Sequence, residues 1–131
     1  MSAWSLFVES SKLPYQEREA CHGGEGPWLF RNLLKSSMDE LPQDKRPRFL
    51  KMIHDDVLKP GSSFGKHRHS LESGYAEEWY ICIGGSGKMT IDGVDRPMQA
   101  GDVHVCIEGE HAITNTGTED MHILVLFVNA S

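Results

Sequence analysis

The chain has 131 residues, 39% of them hydrophobic and 24% charged, with a formal net charge of −6. That length supports one domain with a proper core, because a chain of this size buries roughly two-thirds of its unfolded surface on folding. The acidic balance argues against nucleic acid or an anionic membrane as a partner, and no basic run offsets it.

Residues 4–8, Trp-Ser-Leu-Phe-Val, form a short apolar piece that predicts an edge strand, able to pair with another subunit or to remain an arm. Cys21 to Pro27 is a loop by its glycines, and a strand over 28–34 follows it. A Gly-rich loop cradles phosphate only where it joins a strand to a helix, so a phosphate site is not expected here. Ser37 and Glu40 have capping-box spacing, which allows one helical turn before Pro42. From Arg48 onward the chain reads as strand and turn. Strands are predicted over 48–58, 78–83, 88–92, 94–98, 103–107, 111–115 and 121–128, with a hairpin turn at Asp92-Gly93. The last of these is apolar on both faces, so cover on both sides is expected. Many short strands joined by Gly-rich turns mean an all-β sandwich or barrel.

Cys21, Cys82 and Cys106 are odd in number and lack Cys-x-x-Cys spacing, which reads as reduced thiols in a cytoplasmic protein. The N-terminus shows no basic leader and no apolar run long enough for a signal or a membrane span.

The chemistry concentrates between Gly61 and Gly85. His67 and His69 stand two apart, so in a strand they share a face with Cα atoms roughly 6–7 Å apart. A carboxylate from a neighbouring strand supplies a third ligand, with Glu78 the first candidate and Glu72 and Glu77 as alternatives; His111 is a fourth ligand candidate. Imidazoles with a carboxylate suit one divalent transition metal ion, Mn, Fe, Co, Ni, Cu or Zn, rather than calcium or magnesium.

The layout of Gly61, five residues, His67, one residue, His69, then Glu78, six residues, Gly85, resembles the first motif of the cupin superfamily. Gly101-Asp102, Gly109, His111 and Asn115 resemble the second. Two departures stand out: eight residues separate His69 from Glu78 where the family has three or four, and one residue separates Gly109 from His111 where it has two. The first reads as a loop insertion over 70–76. Together with Gly23-Gly24-Glu25-Gly26-Pro27, the resemblance extends to small single-domain bacterial cupins of the mannose-6-phosphate-isomerase-like kind.

The resemblance implies a double-stranded β-helix, or jelly-roll barrel, over 25–131, preceded by an arm and loop over 1–24 and at most one helical turn. It also implies a homodimer, and metal ligands at His67, His69, Glu78 and His111, with Asn115 structural. Tyr80, on the same face as Glu78, and His54, on the strand before the motif, are candidates for a general acid or base; His22, His104 and His122 read as structural. A metal-dependent isomerase or lyase acting on a sugar acid, sugar phosphate or dicarboxylate is the favoured function. The alternatives are a non-catalytic small-molecule binder and an Fe(II) or Ni(II) dioxygenase. The 70–76 insertion carries Leu71 and Tyr75 and is a candidate lid.

Overall fold

The computed structural model describes residues 4–130. Ten strands follow in chain order: β1 (Gln16–Glu19), β2 (Pro27–Asn32), β3 (Leu50–Leu58), β4 (Ser63–His69), β5 (Glu77–Gly84), β6 (Ser86–Ile91), β7 (Val94–Gln99), β8 (Val103–Cys106), β9 (Gly109–Thr114) and β10 (Met121–Val128). They form a six-stranded sheet, β1-β2-β3-β10-β5-β8, facing a four-stranded sheet, β4-β9-β6-β7, and every pairing is antiparallel. This is the all-β barrel expected from the strand pattern, in the double-stranded β-helix form that the resemblance implies. The β6–β7 hairpin turns at Asp92 and Gly93, both at positive φ (48° and 81°), which matches the handedness a two-residue hairpin needs.

Alternation packs the barrel. On β5, Glu78, Tyr80 and Cys82 point inward and are buried, while Ile83 lies on the exposed side. On β10, Met121, Ile123 and Val125 are buried and the residues between them only half so. The last strand is therefore covered fully on one face and partly on the other, although it sits centrally between β3 and β5. Inward positions change character along the strands. Ile123 lies opposite Cys82 at an apolar end with Phe64 and Ile113; two rungs on, Phe127 lies opposite Glu78 at a polar end.

Two elements differ from expectation. Trp4 to Val8 lies outside any strand, and the edge strand forms instead at Gln16–Glu19, within the stretch read as an arm. All four of its residues are exposed, so backbone pairing with β2 holds it, and no apolar period announces it. The helical turn, α1, spans Lys35–Met38, with Ser37 inside it and not at its cap. Asn32 Oδ1 accepts the backbone N–H groups of Leu34 and Lys35, each at 3.1 Å, and so does the capping from further upstream.

The outer face of β3 is closed by charge. Asp55 accepts from the Tyr15 hydroxyl at 2.9 Å, pairs with the Arg31 guanidinium at 2.6 Å, and contacts His122 on β10. Arg31 in turn donates to the carbonyls of Ser10 and Leu13, which ties the N-terminal segment to the sheet. Among the described residues, no helix is long and apolar enough to cross a membrane.

Candidate metal centre

Three strands bring the predicted ligands together. His67 and His69 come from β4, His111 from β9 directly opposite His67 in register, and Glu78 from β5 in the facing sheet. His111 Nε2 lies 3.1 Å from Glu78 Oε1 and 3.0 Å from His67 Nε2; His67 Nε2 is 3.8 Å from Glu78 Oε1, and His69 Nδ1 is 3.7 Å from Glu78 Oε2. The ligand atoms of His67, Glu78 and His111 all lie within 4.8 Å of one another. The short spacing from Gly109 is no obstacle to register, since His111 is 1% exposed and aims at the centre.

Glu77 and Glu72 do not compete. Glu77 is on the other face of β5 and accepts from Trp79 Nε1 at 2.9 Å, while Glu72 is exposed in the loop. Strand alternation separates the adjacent glutamates, as period two requires.

The remaining ring nitrogens are assigned by their neighbours. His67 Nδ1 lies 3.1 Å from the Gly65 carbonyl, so it carries the hydrogen and leaves Nε2 a lone pair toward the centre. His111 Nδ1 meets His104 Nε2 at 3.2 Å, which orients the His111 ring from behind. His104 is thus more than a packing residue. Burial opposes charge on Glu78, but hydrogen bonds from His111 and Tyr80 and the facing imidazoles outweigh it and hold the carboxyl far below its usual range. His67 Nε2 and Glu78 Oε1, both acceptors, lie 3.0 and 3.1 Å from His111 Nε2, and that imidazole nitrogen has at most one proton to serve both. A shared cation resolves that, so the donor set fits a transition ion.

A second trio, His104, Cys106 and His111, also has its ligand atoms within 4.8 Å. Burial and the nearby Glu78 charge raise the Cys106 thiol, which keeps it protonated and a weak ligand.

The cluster opens into a cavity of about 610 Å³ lined by Cys21, His22, Trp28, Phe30, His54, Tyr75 and others. His54 on β3 lies edge-on to Phe30, with centroids 4.6 Å apart, and beside Phe127 at 4.9 Å. Burial, then the Arg18 charge, bring it down to about 4, so it is neutral at pH 7. Tyr80 stacks on His111 with centroids 5.0 Å apart, and its hydroxyl donates to Glu78. Burial and that carboxylate push the phenol well above its usual range, so its proton stays in place. His54, His67, His69, Glu78 and Tyr80 therefore line one cavity, with Tyr80 committed to Glu78.

His22 has no signal in spacing, yet it stacks on His67 with centroids 4.0 Å apart. A close backbone approach puts it there. A Cβ on Gly24 would run into the Ser63 carbonyl oxygen, and one on Gly65 into the His22 carbonyl oxygen, so only paired glycines let this turn lie against β4. His22 itself has φ 52°, a left-handed conformation uncommon outside glycine. From the insertion, Tyr75 lines the cavity and packs on Phe127 at 4.9 Å, whereas Leu71 is 64% exposed and turned away. Asn115 is structural: its Nδ2 donates to the carbonyls of Leu58 and Glu119, and its Oδ1 accepts from Gly117.

Comparison with known proteins agrees with this fold. Residues 56–127 match the family model of the Cupin domain. The chain is 34% identical over 124 residues to an oxalate-binding protein of Thermotoga maritima, covering 94% of this chain and 93% of that one. A crystal structure described as a predicted oxalate decarboxylase from Thermotoga maritima superimposes with a TM-score of 0.75 at 31% identity, over 95% of this chain and 99% of the other. KdgF from a Halomonas species gives 0.72 at 14% identity, over 97% of this chain and 96% of the other, a likeness of fold alone.

Proposed function

Because this chain belongs to the cupin family, we propose that it is a metal-binding cupin, with one divalent transition ion held by His67, His69, Glu78 and His111 and offered to a small oxygen-rich metabolite. The observation that carries the reading is the convergence of the His67 and His111 Nε2 atoms and a Glu78 oxygen within 4.8 Å at the polar end of the barrel. An ion held there would supply Lewis-acid polarisation of a carbonyl or carboxylate oxygen.

The chain's own residues set the rest. Tyr80 and His104 fix the orientation of Glu78 and His111. His22 covers one face of His67. The aromatic wall of Trp28, Phe30 and Phe127 limits water, and neutral His54 is the ring left to exchange a proton with a ligand. Among sugar acids, sugar phosphates and dicarboxylates, the Thermotoga relative's name supports a carboxylate ligand first. Isomerase or lyase chemistry is the favoured outcome. Commitment of the Tyr80 hydroxyl to Glu78 favours a second reading, in which the barrel holds its ligand without turnover. A homodimer through the apolar outer face of the six-stranded sheet, in a reducing cytoplasm where the three free thiols persist, completes the proposal.

Elemental analysis of the purified protein, followed by calorimetric titration with oxalate, tests it. Near-stoichiometric metal is expected, with a melting temperature that rises on metal addition, since binding to the native state alone stabilises by about 2.7 kcal/mol at a hundredfold excess over Kd. The double variant His67→Ala with His69→Ala is expected to hold no metal. Stoichiometric metal in that variant overturns the reading.

A further inference from the structure

The cavity is large for a two-carbon diacid, and its polar groups are not confined to the His/Glu cluster. At about 610 Å³ it falls within the range that takes a whole small-molecule ligand. The outer strands β1, β2 and β3 bring three further polar side chains to its wall: Arg18, Trp28 and Asp56.

Each is unusual by itself. Asp56 is 2% exposed, and its Oδ1 is buried without a hydrogen-bond partner. Trp28 Nε1, a donor only, is likewise buried and unmet. A buried polar group left unpaired is costly, so two on one cavity wall ask for an explanation. Arg18 lies over the Phe30 ring with its Cζ 4.0 Å from the centroid, and 5.9 Å from that of Trp28. Among the described residues, no carboxylate forms an ion pair with it; its Nη2 donates to Gln16 Oε1 at 3.1 Å.

The three sit together by register. Arg18 is opposite Trp28 across β1 and β2, and Phe30 is opposite Asp56 across β2 and β3. Burial, then the Asp55 charge, raise Asp56 to about 8, with Arg18 acting against them, so at pH 7 its carboxyl is protonated and donates. Cys21 and Tyr80 face it as well and are both held neutral, the thiol at about 11. His54, on the same strand, is neutral too. A wall made of a guanidinium, an indole N–H and a carboxylic O–H is rich in donors, with only the carboxyl oxygens left to accept. Its complement is an anionic oxygen group.

We propose that Arg18, Trp28 and Asp56 form a second subsite that takes the distal carboxylate of a ligand longer than oxalate, whose other end lies at the His/Glu cluster. The proposal rests on the metal reading for the near end and adds the far one.

Calorimetric titration of the metal-loaded protein with oxalate, malonate, succinate and glutarate tests it, with metal content measured in every sample. Wild type is expected to bind at least one longer diacid about tenfold or more tighter than oxalate. Arg18→Gln and Asp56→Leu are expected to erase that gain while leaving oxalate affinity and metal content unchanged. Asp56→Asn, whose amide still donates, is expected to keep the gain, and to keep it above pH 8, where wild type loses it as Asp56 ionises. Metal-loaded wild type with no preference for longer diacids overturns the subsite and leaves the metal reading standing. A preference that survives in both Arg18→Gln and Asp56→Leu overturns it as well. If wild type holds no metal, the metal reading falls, and the subsite stands only if longer diacids still bind and Arg18→Gln abolishes that binding.

Discussion

Glu78 and Glu77 are adjacent, yet one faces three imidazoles and the other the indole of Trp79. Their replacements should therefore diverge. Glu78→Gln is expected to weaken metal retention by more than a hundredfold, because loss of an outer-shell partner alone costs about 10–100-fold. Glu77→Gln is expected to leave it unchanged, by elemental analysis after dialysis; the reverse result would mean a one-residue slip of β5. A second residue-scale prediction concerns Asp55. Although burial opposes its charge, hydrogen bonds from His122, Arg31 and Tyr15 hold its carboxyl below the usual range. A carboxyl depressed on folding stabilises above its unfolded pKa of about 3.9, and that stability is lost as pH falls through the folded value. Asp55→Asn strands Arg31 and His122, which are partly exposed, so the cost is expected at the lower end for a broken buried pair, about 3 kcal/mol, or on the order of 10 °C in Tm at pH 7. The variant's melting curve should also lose part of its acid dependence below pH 4. An unchanged Tm would show that the N-terminal segment is not anchored through this group.

At the scale of elements, the 70–76 insertion joins β4 to β5 beside the cluster, and the turn at Cys21–Gly23 lies against β4 from the other side. These are the segments that shape the cavity mouth. The insertion's contribution is uneven, since Tyr75 reaches Phe127 and the cavity while Leu71 lies toward Arg68 and Glu108. Replacing 71–75 by a shorter Gly-Ser link should leave folding and metal content intact, because no barrel strand lies within it. Ligand affinity should fall through loss of the Tyr75 ring, and Tyr75→Ala alone should reproduce most of that fall. Equal affinity in the shortened protein would remove the loop from the site.

For the whole molecule, the six-stranded sheet has one face in the barrel and one outside. Outside, Ile83, Val103, Val105 and Ile107 are all more than a third exposed, on strands that also carry Trp79 and Ile81 outward. A contiguous apolar face of this kind marks an interface more often than free surface. Sedimentation is expected to give a dimer for wild type and a monomer for Ile83→Lys with Val105→Lys, with metal content preserved in both. A wild-type monomer would remove the homodimer from the proposal.

The sequence by itself determined the barrel, and its motifs singled out His67, Glu78 and His111, whose ligand atoms lie within 4.8 Å of one another. Alternating strands, Gly-rich turns and the spacing of His67, His69 and Glu78 are local patterns, and a period of two sends each residue to a definite face whatever the strand later meets. It did not locate β1, whose polar residues are held by backbone pairing and carry no hydrophobic period. Nor did it find the cap at Asn32, because Ser37 offered a closer match to the usual motif. Only the tertiary structure put His22 on His67, His104 behind His111, and Arg18, Trp28 and Asp56 on one wall. Those meetings join residues 7 to 45 positions apart through sheet register and a glycine–glycine approach. Which distant strands become neighbours is decided by how the two sheets close over a shared core, and no spacing along the chain encodes that.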